Sequence, residues 1–449
     1  MGFDVTATGT LKGRISLPGD ERLTLLVMAF ALTRSGTVVI ENPSPSQSVA
    51  AMRDTLSALG VEVVEGVNLL TVHGRSMPKR VEVGESFPDE VLGILIGAVV
   101  GSGGVACMYA PTPERRRIVE FCAGIFDEIT GVDFEIHDSG TDIVISGGTV
   151  DAERQVTVRA AEAMEVVAAL CMAAGVSVTV TCSLPAVSHV FRLLQMFGAD
   201  IGCGESLGRE TELERRMARL TGRQSLDTRR VVWGDDDRAV TVAIPGDTIL
   251  ASAIAASAVQ APRSDVIIEG VLWEQSRRGF FDVLKRMKVP VDADVKRSRM
   301  GFDSAVVNVK WGLIEGIHLT SEQALSCRSE LLILGALAAT AQGETVITDP
   351  VNAPGRGRDA FGRLSVNLEM MGAHVGDFTD GFAVRGGPEL AGDLVDAAGI
   401  PDLALALVVA GMSAGGVTAL FGYNRDSYPL EPFFTYAAKL GYRQGGTDF

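Results

Sequence analysis

Residues 17–36 read LPGDERLTLLVMAFALTRSG, and residues 244–262 read IPGDTILASAIAASAVQAP. Each stretch sets Pro-Gly-Asp behind an apolar residue and then runs into an apolar segment of helical length. Proline stops a strand and glycine permits a sharp change of direction. Both segments therefore mark points where the chain crosses between two bodies, and their recurrence marks a duplication.

The apolar segment occurs four more times. Residues 91–104 (VLGILIGAVVGSGG), 164–175 (MEVVAALCMAAG), 331–343 (LLILGALAATAQG) and 403–416 (LALALVVAGMSAGG) are apolar nearly all round. A helix with no polar face is buried on all sides, and most of these end at glycine, which a helix C-terminus prefers. A short β-branched strand follows each one, as in TVVIEN at 37–42 and DVIIEG at 265–270. A loop, an amphipathic helix such as RRGFFDVLKRMK at 277–288, and usually another strand complete the unit. Six such units, spaced at roughly 65–90 residues, exceed ordinary solenoid periods.

The repeat predicts an α/β (α+β) protein of two lobes with three units each. The first lobe is discontinuous, residues 1–17 with 246–449, and the second is residues 18–245. Residues 209–230 (RETELERRMARLTGRQSLDTRR) break the pattern and read as a charged, solvated excursion or a partner-binding element.

A net charge of -16 and a pI near 4.9 argue against a nucleic-acid or anionic-membrane surface, since the phosphate term is repulsive. A local basic site for a small anion is compatible with that balance. The six cysteines form no CxxC pair and read as buried free thiols of a reducing compartment. The five histidines show no HExxH spacing, so no metal site is expected. No P-loop, GxSxG or dinucleotide fingerprint stands in its proper context, and no cofactor is expected. The N-terminal residues contain no apolar signal core, and the apolar runs fall short of the roughly 18 residues of a membrane span. A cytoplasmic protein is the expectation.

Six such units with two crossings resemble the enolpyruvyl transferases, EPSP synthase above all, and the likeness runs along nearly the whole chain. It is most specific at residues 11–63, at residues 343–375 (GETVITDPVNAPGRGRDAFGRLSVNLEMMGAHV) and at SYPLEPFFTYAAKLG near the C-terminus. The resemblance implies the two-lobed, inside-out α/β barrel of that family. It also implies transfer of the enolpyruvyl group of phosphoenolpyruvate to a hydroxyl, with release of phosphate, as in the shikimate pathway of aromatic amino acid biosynthesis. Two anionic substrates must then be held together by lysines and arginines.

The same resemblance selects the site residues. Ser188 falls on the family's substrate-phosphate serine, Phe191 on its tyrosine and Asn352 on an asparagine. Arg356 falls on a phosphate-binding lysine, and Asp359 on an aspartate. Arg116, within the Arg115–Arg117 run, lies near the arginine that meets phosphoenolpyruvate. With Arg22 and Arg358 these residues are expected to hold a small anionic substrate or ligand in an interlobe cleft. Other positions depart from the family. Glu21 stands for a lysine, and Ala163, Met164 and Glu165 stand for Ser-Ser-Gln. SFPDEVLGILIG replaces the Gly-Asn-Ala-Gly-Thr segment. Ser329 stands for the proton-transfer aspartate, Ile400, Pro401 and Asp402 for Asp-His-Arg, and Asp426 for a late lysine. No catalytic residue is assigned. An EPSP-synthase-like transferase with a strongly altered site is the first expectation. A non-catalytic paralogue that binds a small anion or a protein partner is the second. The RNA-terminal-phosphate cyclases share the repeat unit, but their chemistry needs a catalytic histidine.

Overall fold

In the helix Leu331–Ala338 every residue is buried, and in Pro401–Gly411 all from Leu403 onward are. An element without a polar face is stable only when enclosed by others. Its neighbours meet that need, for these two helices and Thr248–Gln260 pack on one another. Amphipathic helices cover the outside. Gly279–Arg286 buries Phe280, Phe281, Val283 and Leu284 and turns Asp282, Lys285 and Arg286 outward.

The computed structural model describes residues 2–33, 36–74, 78–129, 131–150, 154–158, 161–182, 184–203, 227–232, 239–299, 301–327, 330–348, 357–378, 381–387 and 389–443. The chain divides into two compact units, Met1–Leu17 with Pro245–Arg297 and Asp303–Phe449, and Pro18–Ile244 with Ser298–Phe302. Among the described residues each unit contains three sheets.

One strand order recurs. Arg80–Val83 enters the apolar helix Leu92–Gly101, and Val105–Tyr109 leaves it parallel to the entering strand. The amphipathic helix Pro113–Glu128 follows. The hairpin Val132–Asp138 and Asp142–Val150 then adds two antiparallel strands. The sheets that begin at Arg154–Val158 and His318–Leu319 repeat this order. In the sixth sheet Leu394–Asp396 and Val417–Phe421 are parallel, and the N-terminal strand Gly2–Thr6 takes the antiparallel place.

The two remaining sheets exchange strands. Lys12–Ser16 precedes the helix Glu21–Phe30 in sequence but pairs with Asp265–Leu272, while Val240–Ala243 pairs with Gly36–Glu41. The Pro-Gly-Asp segments stand at both exchanges. At Gly19 a Cβ would lie 1.8 Å from the Asn42 carbonyl oxygen, so no other residue fits there. The structure adds a short helix absent from the sequence reading, Ser321–Ser326, closed by a Thr320/Gln323 capping box. Most of the charged stretch 209–230 lies outside the described residues. Its last four residues belong to the strand Asp227–Val232, where Arg230 pairs with Thr179 and Arg229 with Val180.

Five cysteines, Cys107, Cys122, Cys171, Cys182 and Cys327, are free and buried. Burial pushes the Cys122 and Cys171 thiols up to about 12, which keeps them protonated and inert.

Candidate functional site

Asp20 builds the start of the first apolar helix. Its side chain accepts from the Leu23 amide at 2.9 Å, and its carbonyl accepts from Thr24 Oγ1 at 2.8 Å. Thr24 Oγ1 accepts in turn from the Ser44 amide at 3.0 Å. A cap tied on both sides fixes the first turn, and Arg22 is the second residue of that turn. Its guanidinium donates from Nη2 to Glu165 Oε2 and from Nη1 to the Glu90 carbonyl.

Glu165 lies on the helix Ala161–Ala174 and is 2% exposed. Met164 beside it is fully buried in the core. On the helix Leu184–Met196, His189 is 5% exposed and sets Nε2 3.8 Å from Glu165 Oε1. Ser188 precedes it and is half-buried, and Phe191 is buried one residue beyond Val190. The helix Glu21–Phe30 and two later helices that follow one another closely, Ala161–Ala174 and Leu184–Met196, thus bring a guanidinium, a carboxylate and an imidazole together, with a hydroxyl next to the imidazole in sequence. Arginine stays charged when partly buried and prefers a carboxylate partner. An imidazole beside a carboxylate can take or give a proton.

The three successive arginines do not share a site. Arg115 is buried. Its Nε donates to Asp89 Oδ1 at 2.7 Å, Nη1 to the Gly84 carbonyl at 2.9 Å, and Nη2 to the carbonyls of Glu85 at 2.9 Å and Phe87 at 2.7 Å. It therefore holds the 84–89 turn. Arg116 binds Asp138 and donates to the Gly140 carbonyl at 2.7 Å, pinning the neighbouring hairpin. The Arg116 hydrogen bond lowers the Asp138 pKa below the usual carboxylate range, aided by the Gly140 amide. Arg117 pairs with Glu114 at 3.0 Å on its own helix, whose first turn Thr112 caps.

In the other unit Asp247 mirrors Asp20. Its side chain accepts from the Leu250 amide at 2.9 Å and from the Tyr428 hydroxyl. Arg277 Nη2 donates to Thr248 Oγ1 at 3.0 Å. Glu330 is the buried residue that leads into Leu331–Ala338. Ile400 and Pro401 open their helix without a side-chain cap. Asp426 is exposed, whereas Arg425 stacks over the Phe434 ring at 4.8 Å. Ser329, Asn352 and Arg356 lie outside the described residues. Arg358 and Asp359 lie in the first turn of the helix Gly357–Met370.

The sequence reading expected Arg22 and Ser188 in the site and Glu165 as a departure from the family pattern, and it did not single out His189. The imidazole follows Ser188 directly, yet nothing local marks its carboxylate neighbour on another helix. Among the described residues no group of three or more His, Cys, Asp or Glu side chains could hold a metal ion, and no helix is long and apolar enough to cross a membrane.

Comparison with known proteins agrees with the repeat. The family profile of EPSP synthase (3-phosphoshikimate 1-carboxyvinyltransferase) matches residues 130–429. A 3-phosphoshikimate 1-carboxyvinyltransferase of Synechococcus sp. (strain RCC307) is 26% identical, over 96% of this chain and 97% of that protein. The corresponding protein of Pelotomaculum thermopropionicum is 25% identical, over 98% and 99%. Among solved structures, EPSP synthase of Acinetobacter baumannii superposes with a TM-score of 0.76 at 19% identity, covering 98% of both chains. The enolpyruvyl transferase NikO of Streptomyces tendae gives 0.71 at 19% identity, with the same coverage. The sixfold α/β repeat is thus the fold of those enzymes, and this chain belongs to the EPSP synthase family.

Proposed function

We propose that this chain is an enolpyruvyl transferase with a rebuilt acceptor site, which takes a hydroxyl acceptor less anionic than 3-phosphoshikimate. The observation that carries the reading is the engagement of Arg22 by Glu165. A phosphorylated acceptor beside Ser188 requires positive charge, and the charge of Arg22 is already balanced by Glu165, while its remaining N–H groups can still donate to a neutral hydroxyl. Glu21, which stands where the family resemblance expects a lysine, adds repulsion. Each lost charge-assisted hydrogen bond weakens binding by about 1.5–3 kcal/mol. A few such losses remove several orders of magnitude, even with non-additivity. An acceptor bearing neutral hydroxyls, or a cation, meets no such penalty.

In this reading Arg22 and Ser188 contact the acceptor. Asn352, Arg356 and Arg358 are proposed from sequence alone as contacts for an anionic group, and Arg116 as a more distant one. Phosphate release from phosphoenolpyruvate with a panel of unphosphorylated hydroxyl compounds tests the proposal. Turnover with at least one of them is expected. If none supports turnover and none raises the melting temperature with concentration, the transferase reading fails. A melting temperature raised without turnover favours a non-catalytic binding protein.

A further inference from the structure

The outer face of one sheet is charged against the trend of the whole chain. The sheet comprises Lys12–Ser16, Asp265–Leu272, Ser304–Lys310 and Val291–Lys296. Its register sets Lys12, Asp265 and Lys310 in one cross-strand row and Arg14, Ile267 and Asn308 in the next. These side chains, with Arg263, Ser264 and Trp311 at the strand ends, line an open groove of about 690 Å³.

Four exposed cations, Lys12, Arg14, Arg263 and Lys310, face this groove in a chain of net charge -16. Two carboxylates answer them. Asp265 lies 3.8 Å from Lys310 Nζ, and Glu269 is bound by Arg14. Lys12 and Arg263 have no ion-pair partner among the described residues. Asp292 sits one strand further out, beyond Asn308, and does not line the groove. Positive charge therefore exceeds negative around the concavity.

The groove has an aromatic wall as well. Trp311 is 46% exposed, an uncommon exposure for so large a ring. Arg263 is held at φ +62, in the left-handed region that side chains other than glycine rarely adopt. The turn that imposes this is tied on three sides. Thr10 Oγ1 donates to the Pro262 carbonyl at 2.9 Å, the Leu11 amide donates to Ser264 Oγ at 2.9 Å, and the Trp311 amide donates to the Ser264 carbonyl at 3.0 Å. Thr10 thus holds the backbone before Arg263, and Ser264 holds it after Arg263 and at Trp311. Ile267 adds an apolar side chain to the groove lining.

We propose that this groove binds a small planar aromatic anion, with its ring against Trp311 and Ile267 and its carboxylate or phosphate held by Lys12 and Arg263. Aromatic faces stack on flat rings, and guanidinium and ammonium groups bind both kinds of anion. None of these residues is among those singled out for the acceptor site, so the inference stands apart from the transferase reading.

The test is calorimetric titration of the full chain at low ionic strength with phenyl phosphate and with benzoate, followed in parallel by tryptophan emission. Inorganic phosphate and phenol are the controls. At least one probe is expected to saturate with a Kd of about 1 mM or tighter, and which one binds distinguishes a phosphate from a carboxylate ligand. Each control should bind more than about threefold more weakly, and the exposed double variant Lys12→Ala/Arg263→Ala should weaken the probe at least about fivefold. Trp311→Ala should weaken it and abolish the emission change. Lack of saturation by either probe overturns the proposal. So does equal binding of inorganic phosphate, or binding that survives the double variant unchanged.

Discussion

Replacing Arg22 by alanine leaves the Glu165 side chain, 3% exposed, without its guanidinium and the Glu90 carbonyl without its donor. Removing one partner of a buried ion pair costs about 3–5 kcal/mol, because the other charge is stranded. Arg22 is itself 22% exposed, so water already reaches the pair and can fill part of the gap. The expected loss is therefore about 2–4 kcal/mol. Glu165→Gln removes the buried charge but keeps an acceptor for Arg22, and should cost no more than about 1.5 kcal/mol. In the double variant no charge is stranded. It should recover most of the Arg22→Ala loss, giving a coupling energy of about 1.5–3 kcal/mol. Urea unfolding of the four proteins measures this, read as midpoint shifts at constant slope. If Arg22→Ala costs less than about 1 kcal/mol, or the single effects simply add, the pair is a surface contact and the acceptor-site argument loses its basis.

Further outcomes follow from packing and charge. A Cβ at Gly101 would lie 2.1 Å from the Leu170 carbonyl oxygen, and one at Gly97 would lie 2.5 Å from that of Val166. Gly101→Ala must push the helices Leu92–Gly101 and Ala161–Ala174 apart and should destabilise by about 1–3 kcal/mol in the same urea assay; an unchanged midpoint contradicts the close approach. Native protein treated with a thiol reagent at pH 8 should leave Cys122 and Cys171 unmodified by mass spectrometry, with labelling only after unfolding. Arg116→Ala should raise the Asp138 pKa, with the Gly140 amide keeping part of the depression, seen by NMR titration. Because the folded-state pKa of Asp138 is depressed, its contribution to stability is present above the unfolded-state pKa and is lost as pH falls through the folded one. The variant should show a weaker acid-side dependence.

The apolar helices were legible because a segment such as LLILGALA has no polar face in any orientation, so its burial follows from composition alone. The unit order was legible for the same reason, six times over. Strand exchange was less so. Lys12–Ser16 pairs with Asp265–Leu272 across roughly 250 residues of chain, and strand pairing at that range leaves no local periodicity. The site shows the same limit. Arg22 could be recognised as a cation beside a helix start, but its partner lies 143 residues away. Arg115 looked like its two neighbours in the sequence. Only the fold shows that it turns inward to satisfy the carbonyls of Gly84, Glu85 and Phe87, of which the last is a buried acceptor that cannot be left unpaired. Family resemblance supplied what periodicity could not, the expectation that Ser188 meets the substrate and that several positions around it depart from the family.

The most direct test of the account is phosphate release from phosphoenolpyruvate in the presence of 3-phosphoshikimate, with the intact chain at neutral pH. Arg22 engaged by Glu165, with Glu21 where the family resemblance expects a lysine, predicts a rate at or near that of the enzyme-free control. Turnover in the usual enzymatic range of about 1–10³ per second would show that the ordinary acceptor binds despite these carboxylates, and would contradict the account.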